Sequence, residues 1–140
     1  MQFQLISSTG LKYDGEAYEV IVPTKDGTIA ILQDHMPLIS AGQPGILSVR
    51  RQARDSNASL EHFAVYGGIV QTDGQITRFV TEEVTTPDEV SEQEAEAALK
   101  RAQALVEGAE TRTALHEART VAQHHEVRLH LAQLKQRHHR

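Results

Sequence analysis

The sequence of 140 residues contains no cysteine and has no excess of positive charge. Without cysteine, neither a disulfide bond nor a thiolate metal site can form. The chain carries 14 lysines and arginines against 19 acidic residues, which gives a net charge of -5. A protein that binds nucleic acid needs a basic surface to contact phosphates, so this composition argues against a nucleic-acid partner.

Long apolar runs are also missing. No stretch approaches the roughly 18 apolar residues that a membrane-spanning helix needs. The first residues, MQFQLIS, do not combine a basic segment with an apolar core, so we expect no secretory signal. We therefore expect any membrane contact to be made through partner proteins.

Motifs for catalysis and metal binding are absent from the sequence. It has no phosphate-binding G-x-x-x-x-G-K-[ST] loop, no dinucleotide loop and no paired nucleophile and base, so we expect neither an enzyme nor a cofactor. The histidines of the C-terminal third lack the three- or four-residue spacing of helical metal ligands, so we expect no metal site. Below about pH 6.5 their protonation should strengthen attraction to acidic partners. These histidines are His116, His124, His125, His130, His138 and His139.

The composition changes near Pro87. All six aromatic residues lie before residue 80, and eight of the nine glycines and all four prolines lie at or before Pro87. Alanine, glutamate, glutamine, arginine and leucine dominate the rest. We predict two domains of different secondary structure, a β domain at residues 1–86 and a helical domain at residues 87–140.

Short alternating segments separated by turn residues fill the first part. They predict about eight to ten strands in a β-sandwich, with a two-residue hairpin loop at Asp73-Gly74. Two short strands, 29–32 and 36–39, should flank a corner at His35, and we expect this histidine to hold the corner or face a partner. The chain breakers around it are expected to stop or turn the chain; they are Gly27, Pro37, Gly42, Pro44 and Gly45.

Two helices are predicted after Pro87. Ser91 and Glu94 have the spacing of a capping box at the first helix, and Gly108 is expected to end it in a left-handed conformation. The second helix should run from about Thr111 to near the end, which makes an antiparallel α-helical hairpin. Alanines dominate the predicted seam, with Leu105 as a larger member, so the hairpin should be weakly held.

The charges of the two predicted helices have opposite signs. Residues 88–110 carry a balance of -5, and residues 111–140 carry +4. In one interpretation the helices neutralise each other. In the other, the basic helix can leave its acidic neighbour for the acidic surface of a partner. Both interpretations stay open on the sequence.

Several motifs together resemble one family, the epsilon subunits of bacterial F-type ATP synthases (delta in mitochondria). They are GTIAILQDHMPL at 27–38, PGIL at 44–47, FAVYGGIV at 63–70 and GEAYEVIVP at 15–23. The resemblance covers residues 1 to about 86 in sequence, and the helical hairpin in its organisation.

This resemblance implies a non-catalytic rotor subunit of the central stalk, which couples proton flow to ATP synthesis and inhibits ATP hydrolysis through its C-terminal helices. The implied partners are the gamma subunit, the c-ring, and the alpha and beta subunits, at the cytoplasmic face of the cell membrane. The implied partner-binding residues are Asp26, Gly27, Thr28, His35, Met36, Pro37 and Gly68 in the sandwich, with Arg112, Arg119 and Arg128 in the second helix.

Some members of that family bind ATP through I/L-D-x-x-R-A at the first helix. Here the matching stretch begins at Val90, with Ser91 in place of the aspartate and Glu94 in place of the arginine. An acid at the position that would meet phosphate charge predicts that no tight ATP site exists. The alternative from another class is a free-standing β-sandwich that binds proteins and dimerises through its helical tail.

Overall fold

The structure is a computed structural model that describes the backbone of residues 1–138 and the side chains of residues 1–135. Within this range it contains eight strands, two α-helices and two single turns of 3-10 helix. The strands are β1 (Gln2–Ser7), β2 (Gly10–Glu16), β3 (Glu19–Thr24), β4 (Gly27–Leu32), β5 (Leu38–Arg50), β6 (Glu61–Thr72), β7 (Ile76–Val80) and β8 (Val84–Thr85). The helices are α1 (Glu92–Glu107) and α2 (Arg112–His138), and the 3-10 turns are Asn57–Ser59 and Pro87–Glu89.

The strands form one hydrogen-bonded path that folds over on itself. Its order is β2-β1-β7-β6-β5-β3-β4, with β8 paired to β6. Phe3 near one end of this path and Ile31 at the other end are both fully buried in the same apolar cluster. The two ends of the path therefore face each other across one core. This arrangement is a β-sandwich, and the predicted fold class of a sandwich followed by a helical hairpin is confirmed.

Two glycines in β6, Gly67 and Gly68, reverse the alternation of its side chains. Phe63 and Val65 face the core before them, and Val70 faces it after them, although strict alternation would turn Val70 outward. Gly67 and Gly68 have φ of 119° and 138°, values that only glycine adopts without strain. A Cβ on Gly68 would lie 2.5 Å from the Val80 carbonyl oxygen, so β6 and β7 approach closely here.

β5 is one continuous strand, which corrects the sequence prediction. Gly42, Pro44 and Gly45 do not stop the chain, and no separate strand covers residues 36–39. β5 keeps one register with β6 throughout, whereas its register with β3 shifts between Ile21 and Thr24. Pro44, which lacks an N–H, falls in the stretch where β5 has left β3, so no hydrogen bond is lost there.

The hairpin predicted at Asp73-Gly74 connects β6 and β7, but its loop has three residues instead of two. The Asp73 carboxylate accepts hydrogen bonds from the backbone N–H groups of Gln75 and Ile76, both at 2.8 Å. These two bonds lower the pKa of Asp73. The Asp73 side chain thus forms an Asx turn that holds the loop.

Both helices begin at hydroxyl caps. The Ser91 Oγ accepts from the Glu94 N–H at 3.4 Å, and the Thr111 Oγ1 accepts from the Ala114 N–H at 3.0 Å. The prediction for Gly108 is wrong, because its φ of -89° and ψ of 0° are right-handed. Leu105 is also no part of the seam, since it is 62% exposed. The residues buried along the helices include the predicted alanines Ala95, Ala102, Ala118, Ala122 and Ala132.

The helical hairpin docks on the outside of the sandwich. Val127, Leu131 and Ala132 of α2 pack against Ala64 of β6 in a second apolar cluster, which also contains Val90 and Ala95. We call it the docking cluster. The side chains of Ile46, Tyr66 and Leu129 border it. The main core draws its described members from the β segment alone. The two apolar cores are thus separate, so the hairpin packs on the outside of the sandwich and contributes no described side chain to the sandwich core. The division between residues 86 and 87 stays a prediction.

Candidate functional site

The first predicted contact segment is the turn between β3 and β4. Asp26, Gly27 and Thr28 are all exposed there, and Gly27 has a φ of 110° that favours glycine. The Lys25 N–H donates to the Ala41 carbonyl at 3.1 Å, which holds the turn against β5. The turn therefore presents these three residues to solvent on a fixed backbone.

The second predicted segment is the corner between β4 and β5. The His35 N–H donates to the Leu32 carbonyl at 3.1 Å, and the His35 Nδ1–H donates to the Met36 carbonyl at 2.7 Å. Asp34 has a φ of 65° and donates its N–H to the Gly74 carbonyl at 2.9 Å. His35 thus supports its own corner, as expected, while Met36 and Pro37 are exposed.

The structure does not bring the turn and the corner together. They lie at opposite ends of β4, which places them roughly 17 Å apart along the strand. Gly68 lies nearer the turn, because it pairs with Gly42, which pairs with Thr24. Its close approach to β7 gives Gly68 a packing role inside the sandwich. A partner contact at Gly68 stays a prediction.

An apolar surface that the sequence analysis missed lies on the outer side of β5, β6 and β7. Ala41, Ile69 and Val80 are direct neighbours across the three strands. Ile39 is 73% exposed, Ile69 53% and Val80 50%. We call these four residues the outer apolar face. Ile6 extends the same row onto β1, where it pairs with Val80.

A sequence signal for this face exists. Ile69-Val70 and Phe79-Val80 are pairs of adjacent apolar residues within strands. Neighbouring side chains of a strand point to opposite faces, so one member of each pair must lie on the outside. Val70 and Phe79 are fully buried, which leaves Ile69 and Val80 for the outer face.

Two stacked rings also join α2 to the sandwich. His124 of α2 stacks on Tyr66 of β6 with 3.9 Å between centroids and 15° between planes. The His124 Nε2–H donates to the Glu83 carboxylate at 3.3 Å, and the Tyr66 hydroxyl bonds to Thr85 Oγ1 at 2.6 Å. Burial raises the pKa of Tyr66. A polar and aromatic contact thus lies beside the apolar docking cluster.

The three predicted arginines are spread along α2. Arg112 and Arg119 are exposed, and Arg128 is half-buried. Among the described side chains, no ion pair within 4.0 Å joins α1 to α2. Glu96 pairs with Lys100 within α1, and His124 of α2 pairs with Glu83 outside the two helices. Direct pairing between the acidic and the basic helix is therefore absent from residues 1–135.

The positions of the family's ATP motif are occupied by structural contacts. Val90 is buried in the docking cluster. The Ser91 hydroxyl caps α1, and Glu94 is exposed. The expected absence of a tight ATP site stays a prediction.

The described residues contain neither a membrane-spanning helix nor a cluster of metal ligands. No helix within residues 1–138 is long and apolar enough to cross a membrane. No group of three histidines or acids within the same range could hold a metal ion. The side chain of His138 and all of His139, part of the histidine set considered above, lie outside the described residues.

Comparison with known families identifies the β-sandwich. Residues 1–87 match the model of the ATP synthase delta/epsilon chain, beta-sandwich domain. The chain belongs to the ATP synthase delta/epsilon family. It is 26% identical over 121 residues to the ATP synthase epsilon chain of Chelativorans sp. (strain BNC1). The aligned segment covers 86% of this chain and 84% of that relative.

Solved structures share this fold at low sequence identity. A chain in the cryo-EM structure of the Euglena gracilis mitochondrial ATP synthase with its c-ring matches with a TM-score of 0.77, 17% identity and coverage of 89% of this chain and 76% of that one. A chain in the central stalk and c-ring structure of the Tetrahymena thermophila mitochondrial ATP synthase matches with a TM-score of 0.63 and 16% identity. The coverage is 94% of this chain and 96% of that one.

Membership in the delta/epsilon family confirms the resemblance drawn from the sequence motifs. The epsilon chain is a non-catalytic subunit of ATP synthase, so the prediction that the protein is not an enzyme is also confirmed by its family. The family does not assign individual contact residues. The turn, the corner and the three arginines remain predicted partner contacts.

Proposed function

We propose that the chain is a rotor subunit in the central stalk of a proton-translocating F-type ATP synthase. In this proposal the sandwich binds the gamma subunit through the outer apolar face. The corner at His35, Met36 and Pro37 and the turn at Asp26–Thr28 contact the c-ring. Family membership supports the complex, and the solved structures with a similar fold come from assemblies of this kind.

The outer apolar face is the main support for the proposed contact with the gamma subunit. Its members lie side by side on three hydrogen-bonded strands, so they present a continuous surface fixed by the backbone. A cluster of half-exposed aliphatic side chains on a sheet marks a surface that another protein covers. The docked hairpin leaves this face open, because it packs against Ala64 and Tyr66, which precede Gly67 in β6, and against Ile46, which pairs with Ala64.

The proposal includes a regulatory role for the helical hairpin. Its seam is built from alanines, which bury little apolar area, so the hairpin can change position at modest free-energy cost. When extended, the basic α2 would meet acidic segments of the alpha and beta subunits and inhibit ATP hydrolysis. Among the described side chains no ion pair joins α1 to α2, which supports this role because Arg112, Arg119 and Arg128 are not paired with α1.

The location follows from the complex. We propose that the chain is held at the cytoplasmic face of the cell membrane through the gamma subunit and the c-ring. It needs no membrane-spanning helix of its own for this attachment. Any contact with lipid would be made by its partners.

Copurification with the gamma subunit tests the function. The full chain should bind gamma one-to-one, and Ile69→Asp should weaken that complex strongly, because it places a charge in the centre of the outer apolar face. The matched control is Leu105→Asp, since Leu105 is 62% exposed on α1, away from the strands of that face. Unchanged binding by Ile69→Asp would reject the assigned surface.

Failure of the unaltered chain to bind gamma, together with self-pairing, would support the alternative of a free-standing module that dimerises through its tail.

A further inference from the structure

A cavity of about 580 Å³ lies between the sandwich and the C-terminal half of α2. A volume of this size falls in the range of sites that hold small molecules. Parts of β2, β6, both 3-10 turns and α2 line the cavity. Val90, Ser91 and Glu94 do not line it, so the cavity is distinct from the positions compared above with the family's ATP motif.

Much of the cavity wall is apolar. Leu131 of α2 is fully buried and Phe63 of β6 is 7% exposed. Leu60, Pro87 and Leu134 are half-buried and complete this part of the wall. An apolar ligand body would therefore contact side chains of the sandwich on one side and of α2 on the other, and burial of its surface would favour binding.

The carboxylates that line the cavity already have protein donors. Arg51 pairs with Glu61 through two hydrogen bonds of 2.7 and 3.3 Å. Asp14 accepts from a glutamine side chain of β1 at 2.7 Å. Asp88 accepts from the Thr86 hydroxyl at 2.6 Å, a bond that lowers the pKa of Asp88. These three acids therefore do not require a cationic ligand.

Two lysines that line the same cavity lack such partners. Lys12 of β2 and Lys135 of α2 are each half-buried. Neither forms an ion pair within 4.0 Å among the side chains of residues 1–135. Each ammonium group has three N–H donors and no acceptor. The hydrogen-bonding capacity that the cavity leaves unused is therefore donor capacity, which an anionic ligand group satisfies best.

We propose that this cavity binds a medium-chain carboxylate, with the carboxylate between Lys12 and Lys135 and the apolar chain against Phe63, Leu131 and Leu134. An apolar chain alone would leave the two ammonium groups without an acceptor. A small anion alone would leave the apolar wall in contact with water. A ligand that carries both parts satisfies the whole cavity.

This site goes beyond the proposed stalk function. No member of the outer apolar face lines the cavity. Binding of the carboxylate is measured on the isolated full chain, without gamma or the c-ring. Failure of this proposal and failure of the stalk function are therefore distinguishable.

Titration with decanoate, kept below the concentration at which it forms micelles, tests the proposal. Calorimetry should show saturable binding of one decanoate per chain, and amide resonances should shift in both β2 and α2. Acetate has the carboxylate without the chain, and decylammonium has the chain with the opposite charge. Each should bind at least about tenfold more weakly than decanoate, because each lacks one of the two contacts.

Several outcomes of this titration would overturn the proposal. They are the absence of saturable decanoate binding, equal affinity for decylammonium, and resonance shifts confined to the outer apolar face.

Variants of the two lysines test the charge contact. Lys12→Gln and Lys135→Gln remove the charge and keep a polar side chain of similar length, so each should weaken decanoate binding by about threefold to tenfold. The matched control is Lys100→Gln, because Lys100 is 76% exposed on α1 and does not line the cavity. Its affinity should equal that of the unaltered chain. Unchanged affinity in both cavity variants would overturn the assignment.

A variant that fills the cavity tests the apolar contact. Leu134→Trp places a larger side chain in the wall and should abolish decanoate binding. The amide resonances of the sandwich, whose core is separate from α2, show whether the variant is folded. Decanoate binding that survives in folded Leu134→Trp would place the ligand elsewhere and overturn the proposal.

Discussion

Tyr66 and His124 form a nearly parallel ring stack, 3.9 Å between centroids, across the boundary between the sandwich and the helical hairpin. Tyr66 is fixed from behind by its hydroxyl bond to Thr85. The stack therefore joins α2 to a side chain whose position the sheet has already determined. Its strength contributes to the stability of the docked hairpin.

The first prediction concerns this stack. Tyr66→Ala should weaken hairpin docking, and a double-mutant cycle with His124→Ala should give a coupling of about 0.5–1.5 kcal/mol, as for other ring pairs. Hydrogen exchange of the α1 and α2 amides measures the docking equilibrium. Tyr18→Ala is the control, since Tyr18 lies 44% exposed in the loop before β3. A coupling near zero would show that the rings lie together without attraction.

The second prediction concerns Gly68, where β6 and β7 approach closely. Gly68→Ala should lower the free energy of unfolding of the sandwich by about 2 kcal/mol or more, because the positive φ strains the new residue and its Cβ would lie 2.5 Å from the Val80 carbonyl oxygen. Urea unfolding measures the change. Gly15→Ala should change stability by less than about 0.5 kcal/mol, since its nearest atom is Tyr13 Cε1 at 3.9 Å. Equal stability of the two variants would contradict the close approach of β6 and β7.

The third prediction separates the two cores. Leu131 is fully buried between α2 and the sandwich, so Leu131→Ala should cost docking about 2–5 kcal/mol. The sandwich should keep its own stability, because its core has no described member from the helices. Protease sensitivity of the helices and urea unfolding of the sandwich measure the two effects. Leu105→Ala, at a side chain 62% exposed, should alter neither; a parallel loss of sandwich stability in Leu131→Ala would refute independent cores.

The fourth prediction concerns inhibition of ATP hydrolysis in the assembled enzyme. Replacing Arg112, Arg119 and Arg128 together by glutamine should relieve inhibition, because the charge balance of residues 111–140 falls from +4 to about +1. Raising the salt concentration should relieve inhibition by the unaltered subunit in the same direction. ATPase assays on the reconstituted complex measure both effects. Undiminished inhibition by the triple variant would exclude a charge-based contact at these arginines.

The corner at His35 shows where sequence reasoning was sufficient for the local structure. The motif around His35 marked a corner that supports itself by hydrogen bonds, as the structure finds. The alternating strands and the alanine-rich repeats predicted a sandwich and a hairpin because period two and period 3.6 are local properties of the chain. The Ser91 cap was predictable for the same reason.

The sequence predictions were wrong where contacts between strands or between helices determine the extent of a strand or the exposure of a side chain. Gly42, Pro44 and Gly45 looked like breakers, but pairing with β6 carries β5 through them. Leu105 had the right spacing for the seam, yet the rotation of α1 against α2 leaves it exposed. The outer apolar face was missed because its members come from three strands that only the sheet brings together.

The sequence by itself determined the two kinds of segment, the positions of most turns and caps, and the family, since each depends on residues close together along the chain. Only the tertiary structure decided that β6 changes the face it turns to the core at Gly67–Gly68 and that α2 docks through Leu131 and His124. Those outcomes depend on the packing of side chains distant in sequence, whose burial and charge environment exist only after the chain has folded.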